Sequence, residues 1–406
     1  MKKVICGSLI VLGFASLNYS QTVPSKIDEL VNEYVVNHQF MGSVFVADNG
    51  EAVFAKGYGL ANVEQNIPNT PETEFMIGSI TKRFTAMLVM QLVEGGQLRL
   101  DDKISEFLPY FPKDIGGKIT IEMLLSHTSG LPLPEGIEDY YHMSNIEDFI
   151  KQVSLEGLHF EPGERYKYSN TGYEILGMII EKATGKTYEE VLDQRILKPP
   201  GMSDTGCNKK GLVLENRAHS YLKSSDKYIM WSDRQSFDPG IMFFGSGFLY
   251  STVGDLFRFS KALSSNELLS EKYMDMYLKM RTVKPHPPIR NIPQELVADL
   301  FGTCGNGFVG EISMIEDPHT KDKQTLYWHD GTMKLFKGCH YHFSWKEQYI
   351  IILSNCSLLG EGDEMALKIH QLLNDKPYEH IHIKRDLSQY LEEEVGMHAG
   401  VEAAVA

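Results

Sequence analysis

The sequence predicts a mixed α/β (α+β) fold: an antiparallel sheet built from N- and C-terminal strands, flanked by helices, with a mainly helical lobe inserted in the middle. Three observations carry this. Two runs rich in Val, Phe and Ala flank Asp48-Asn49-Gly50 near the start. Strand-like runs return near the end in TLYWHDG, GCHYHFSW and QYIIILSN. Between them, from about Phe75 to Leu263, the dominant period is helical.

Taken in order, Lys26 to Val36 reads as a helix. GSVFVADNGEAVFAKGYG then reads as a hairpin, because Asn-Gly supplies the positive φ angles of a tight turn. The segment FMIGSITKRFTAMLVMQLVEGG, Phe75 to Gly96, reads as a buried helix. A further helix runs from near Thr171 to Gly185, and the next opens at Thr187 with Glu190 three residues on, a capping box. ILKPPGM breaks that pattern, and EMALKIHQLL closes the ordered chain as a helix. The expected organisation is a signal over 1–20, one domain over 21–375 with its helical lobe at about 80–265, and a C-terminal appendage over 376–406.

The signal reading rests on Lys2 and Lys3, an apolar run from Val4 to about Leu17, and small and polar residues after it. That run is shorter than the ~20 residues a membrane span needs, and no later segment qualifies, so an exported, periplasmic or secreted protein is expected. The chain carries a formal charge of -15, and no basic run is long enough to track a phosphate backbone, which excludes nucleic acid as a partner. The oligomeric state is left open. Cys207, Cys304, Cys339 and Cys356 match no zinc or redox spacing. Cys339 and Cys356 lie on two runs read as a hairpin, so either a disulfide or buried thiols would fit.

The chemistry starts from Ser79 and Lys82. Gly78 before the serine and the apolar helix after it place Ser79 at a helix N-terminus, where N–H groups favour an oxyanion. At i, i+3 the lysine sits one turn on, over the same face. A partly desolvated lysine loses proton affinity and can take the proton of the serine. Alone, this spacing is weak evidence, and a capping serine with a solvated lysine is the more ordinary reading of it. Two later triplets change that: Tyr168-Ser169-Asn170 before a helix and His329-Asp330-Gly331 at the end of a strand.

With these three motifs the sequence resembles the serine β-lactamase and penicillin-binding-protein superfamily, in its class C and D-alanyl-D-alanine carboxypeptidase branch with related esterases. That branch is marked by S-x-x-K, Y-x-N and K/H-x-G in this order. The resemblance runs from about Ser25 to Asp375 and includes ITIEMLLSHTSGLP, YSNTGYEILG, ILKPPGM and GSGFLYSTVGDLFRF. It implies a β-lactamase/transpeptidase-like fold, with Ser79 as acylated nucleophile and Lys82 as its activator. Tyr168 would be the general base or a proton relay, since a phenol flanked by cations can titrate below its usual value. Asn170 would bind the substrate's acyl-side amide and steady Lys82; a plain N-cap is the alternative. Past His329 and Gly331, the N–H of Thr332 would complete an oxyanion hole with that of Ser79. His329 stands where class C enzymes have lysine, which implies weaker, pH-dependent recognition of a carboxylate. An anionic Asp330 would oppose a carboxylate further unless strand alternation points it away.

The implied function is hydrolysis through an acyl-enzyme of D-amino-acid peptides, small esters or amides, or β-lactams, with no metal or organic cofactor. The alternative is a non-catalytic or slowly acylating penicillin-binding sensor. Other chemical-looking groups read as structure. Ser126, His127 and Ser129 lack the G-x-S-x-G elbow an α/β-hydrolase triad needs and are expected in a turn. His340 with His342, and His380 with His382, have no completing ligands, Cys339 facing away by alternation. Glu161 and Glu164 are expected in a solvated loop.

Overall fold

The computed structural model describes residues 22–37, 39–132, 145–209, 211–224, 227–230, 245–283, 303–316, 323–356 and 361–376. The expected signal, all but the first residue of the expected appendage, and His380 and His382 lie outside them. Helix α1 (Val23–Val36) leads into strands β1 (Gly42–Asp48) and β2 (Glu51–Tyr58). The turn between them has positive φ at Asn49 and Gly50, as the Asn-Gly signal requires. Helix α2 is Thr81–Glu94, α3 is Asn170–Thr184 and α4 is Val253–Ser264. The C-terminal part supplies β3 (Thr282–Val283), β4 (Thr303–Gly307), β5 (Gly310–Glu316), β6 (Lys323–Met333), β7 (Phe336–Phe343) and β8 (Gln348–Ser354), then helix α5 (Glu361–Leu373).

These strands form one antiparallel sheet in the order β3-β4-β5-β6-β7-β8-β1-β2, so both termini of the domain contribute, as expected. The inserted part is less purely helical than its periodicity implies. It also contains short strands at Gly206–Cys207, Tyr221–Ser224, Lys227–Met230 and Leu249–Ser251, too brief to register as alternation. The capping box at Thr187 and Glu190 is present, with the threonine hydroxyl accepting from Glu190 N.

Strand alternation sorts the core into two. Phe45, Ala47, Tyr349, Ile351 and Leu353 face the helical lobe and pack around α2. Val44, Val46, Ile350 and Ile352 face α1 and α5. On β6 the same rule sends Leu326 and Trp328 to the α5 side and Tyr327 and Met333 to the lobe side. Helix α2 is buried on almost all sides, with Thr81 through Met90 and Leu92 inaccessible. That is the state of a helix at the centre of a core rather than at its edge.

Two features of β6 prepare the site. Strand β5 pairs with it only as far as Trp328, opposite Glu311, whereas β7 pairs to Met333. The β5-side edge of residues 329–333 therefore lies against the turn that carries Ser79. Gly331 permits this contact: a Cβ there would overlap the carbonyl of Ile77.

Among the described residues no helix is long and apolar enough to cross a membrane. Cys207, Cys304, Cys339 and Cys356 are buried and form no disulfide. The β7–β8 hairpin exists, but Cys339 stands opposite Ile352 while Cys356 lies past the end of β8, beside Tyr221. Hairpin register, not proximity in sequence, keeps the two apart.

Candidate active site

Ser79 lies in a 3-10 turn, Gly78–Ile80, that feeds α2 at Thr81, so it precedes the helix by one turn instead of capping it. Gly78 has φ +49, and a Cβ there would lie 2.6 Å from the carbonyl oxygen of Thr332. The left-handed turn and the missing side chain together bring the Ser79 backbone against β6 at Thr332.

Lys82 is 2% exposed. Its Nζ is 3.1 Å from Ser79 Oγ and donates to the carbonyl of Ser246 at 2.8 Å. It also lies 4.8 Å from the ring centre of Tyr168 and 5.7 Å from that of Tyr173. Burial pulls its pKa down to about 7, although the charges of Glu174 and Asp330 pull the other way. Near neutral pH a large share of Lys82 is therefore free amine. In that form Nζ keeps its bond to Ser246 and accepts the proton of Ser79.

Tyr168 reaches the same serine. Its hydroxyl bonds to Ser79, while 42% of the residue remains open to solvent. Its pKa moves opposite to the direction the flanking cations suggest. Desolvation of the hydroxyl end raises it, and the bond to Ser79 only partly offsets that. Tyr168 is a neutral phenol in the resting site, suited to passing a proton rather than removing one. His127 supports it from behind: the ring stacks on Tyr168 at 4.6 Å, Nδ1 accepts from Ser169 N at 3.1 Å, and the backbone carbonyl accepts from Lys167 N. With φ +57, His127 sits in a tight turn. Its turn was legible in the sequence; its role under the phenol ring was not.

The N-cap of α3 is Ser169, whose hydroxyl accepts from Gly172 N, so Asn170 is released from capping. The Asn170 Oδ1 is buried with no hydrogen-bond partner among the described residues.

His329 and Asp330 point to opposite faces of β6. His329, 5% exposed, faces the lobe; its Nδ1 donates to the Asp330 carbonyl, and burial lowers its pKa to about 4. The expected part-time cation is thus a neutral imidazole at pH 7, because the desolvation that a surface histidine escapes applies here in full. Asp330 faces α5 and pairs with Lys337 at 3.0 Å, pointing away from the serine as alternation allows.

Arg83 donates to His340 Nδ1 at 2.7 Å, which leaves Nε2–H to donate to Ser260 at 2.6 Å, so His340 cannot act as a base on that serine. No group of three or more metal-ligating side chains occurs among the described residues. Glu161 is exposed and pairs with Lys118. One important residue went unnoticed in the sequence: Glu174, one turn below Asn170 in YSNTGYEILG, is 3% exposed. A carboxylate among the apolar positions of a buried helix was the available signal.

A 3-10 turn carrying Ser79 at the head of a central helix, a buried lysine, a tyrosine and an antiparallel strand thus meet at one place. The Beta-lactamase family model matches residues 27–373, and the chain belongs to that family. A putative penicillin-binding protein, PbpX, of Bacillus subtilis (strain 168) is 32% identical over 256 residues, covering 63% of this chain and 62% of the relative. Penicillin-binding protein 4* of the same organism is 33% identical, covering 58% of this chain and 54% of the relative. The match thus spans only part of these curated relatives. Among solved structures, the octameric penicillin-binding protein homologue from Pyrococcus abyssi superposes with a TM-score of 0.72 at 28% identity, over 87% of this chain and 77% of that one. D-amino acid amidase from Ochrobactrum anthropi SV3 shares the fold with a TM-score of 0.70 at 23% identity, over 87% of this chain and 99% of that one.

Proposed function

We propose that this protein is an exported hydrolase that works through an acyl-enzyme on Ser79. The observation that carries the reading is Lys82 Nζ at 3.1 Å from Ser79 Oγ, buried, and brought by that burial to a pKa of about 7. The free amine takes the Ser79 proton as Oγ attacks the substrate carbonyl, and the N–H groups of Ser79 and Thr332 receive the oxyanion. The Lys82 ammonium returns that proton to the leaving group through the Tyr168 hydroxyl. In the second half a water takes the place of the leaving group; the same lysine, again free amine, draws its proton through Tyr168 as the water oxygen attacks the acyl carbon, and the bond to Oγ breaks as Lys82 returns that proton to Ser79. Asn170 Oδ1 accepts the N–H of the acyl side. Lys2, Lys3 and the apolar run that follows support export.

The substrate reading follows from charge. A neutral His329 and an Asp330 turned away and paired give this side of the site no full charge with which to hold a carboxylate. Small esters and amides, including those of D-amino acids, come first; D-amino-acid peptides ending in a carboxylate come second, and β-lactams third. The test is a hydrolysis screen of p-nitrophenyl esters, D-amino-acid amides, D-Ala-D-Ala peptides and nitrocefin, run with wild type and Ser79→Ala. Turnover confined to wild type, highest on the neutral substrates, supports the reading. Covalent labelling of Ser79 without turnover would instead make the protein a penicillin-binding sensor, and labelling of Ser79→Ala would remove Ser79 from the mechanism.

A further inference from the structure

We infer that Glu174 is a positioning residue for the proposed acylation, holding the 245–246 peptide against Lys82 and sharing its proton. The inference rests on the reading of Ser79 and Lys82 given above. Its basis is a grip on one peptide unit from two sides. Lys82 Nζ donates to the Ser246 carbonyl at 2.8 Å, and Glu174 Oε2 accepts from Gly245 N at 3.2 Å. Thr85, one turn along α2 from Lys82, donates to the Gly245 carbonyl at 2.6 Å and bonds the Tyr188 hydroxyl at 2.7 Å. Lys82, Thr85 and Glu174 are 2%, 0% and 3% exposed. The lysine and the carboxylate therefore meet the same dry segment one residue apart, from α2 and α3 respectively.

Burying a carboxylate here is costly unless something compensates. No salt bridge to Glu174 is present among the described residues, and the charge it feels is that of Lys82. Burial raises its pKa to about 7, with Ser246, Gly245 and Lys82 opposing. Two groups of opposite type, close in proton affinity and electrostatically linked, titrate as a pair. The pair can hold its one proton as ammonium and carboxylate, or as amine and carboxylic acid. The second form supplies the free amine that Ser79 needs without leaving a net charge in the core. The other groups facing this pair are Ser79, Tyr168, Tyr173 and His329, while the charge of Asp330, on the other face of β6, raises the proton affinity of Lys82. Tyr188 faces the carboxylate from its own helix.

The test is the pH dependence of Ser79 acylation by a p-nitrophenyl ester, in wild type, Glu174→Gln and Glu174→Ala. Glutamine keeps an acceptor for Gly245 N and removes the charge. Because the carboxylate raises the lysine's proton affinity, its removal is expected to shift the acid limb down by about one pH unit. The limb should also steepen from a broad two-proton rise to a single-proton curve. Alanine should reproduce the shift and, by releasing the 245–246 peptide, slow acylation at every pH. A limb with the same midpoint and shape in Glu174→Gln overturns the inference while leaving the Ser79 mechanism standing. Absence of Ser79 labelling in wild type would instead overturn the mechanism itself.

Discussion

Lys82 and Lys337 stand on opposite faces of the same sheet, and their surroundings drive them in opposite directions. Lys337 meets Asp330 at 3.0 Å and feels Asp363 as well; burial lowers its proton affinity, but the two carboxylates outweigh that and hold it charged. Lys82 has a hydroxyl and a backbone carbonyl for partners, so burial wins and its pKa falls to about 7. The two sites differ less in depth than in whether a carboxylate sits in contact. A lysine with one stays charged; a lysine without one, beside a serine, has the proton affinity that the proposed base requires.

The largest expected effect separates the two lysines directly. Lys82→Arg keeps a cation but cannot supply a free amine, so acylation of Ser79 should fall on the order of 10³-fold or more, read by burst kinetics with a p-nitrophenyl ester. Lys337→Arg keeps the ion pair with Asp330 and should leave the rate within about twofold. Equal losses in both would erase the distinction. Tyr168→Phe should cost on the order of 10²-fold in acylation, since a proton relay is removed while the base remains. A rate that survived unchanged would take the phenol out of the proton path.

How much of this was legible in the sequence divides along the same line. The Asn49-Gly50 hairpin and Ser79 and Lys82 one turn apart are local patterns, the strand-like runs at both ends of the chain point to a shared sheet, and each is present in the structure. Asp330 turning away follows from a period of two and was also within reach. Proton affinities were not. The expected low pKa of Tyr168 and the partial charge of His329 both failed because desolvation depends on what covers a group. Nor could Glu174 be tied to Lys82, since the Gly245–Ser246 segment joining them lies 164 residues from the lysine in sequence.

The smaller predictions sharpen the contrast between the two faces. His329, His340, His342 and His370 all have depressed pKa values, burial being the first cause in each. Between the ordinary histidine value and the lowered ones the unfolded chain binds more protons, so stability rises with pH there and is lost as pH falls below about 6.5. His329→Asn should flatten the slope of stability against pH by up to about 1.4 kcal/mol per unit between pH 6.5 and 4, measured by urea denaturation. An unchanged slope would mean that His329 is solvated. Asp330→Asn should cost about 1 kcal/mol or less, because the aspartate side chain is 42% exposed and its pairing is screened. Removing its charge also lowers the proton affinity of Lys82 slightly, so the acid limb of acylation should move down, not up.

The most direct measurement is the rate of Ser79 acylation by a neutral p-nitrophenyl ester from pH 5 to pH 10, with active-site labelling confirmed by mass. An acid limb centred near pH 7 that disappears with the activity in Lys82→Arg is the predicted result. A limb near the ordinary lysine value of about 10, or one that persists in Lys82→Arg, would show that Lys82 is not the base its burial makes it.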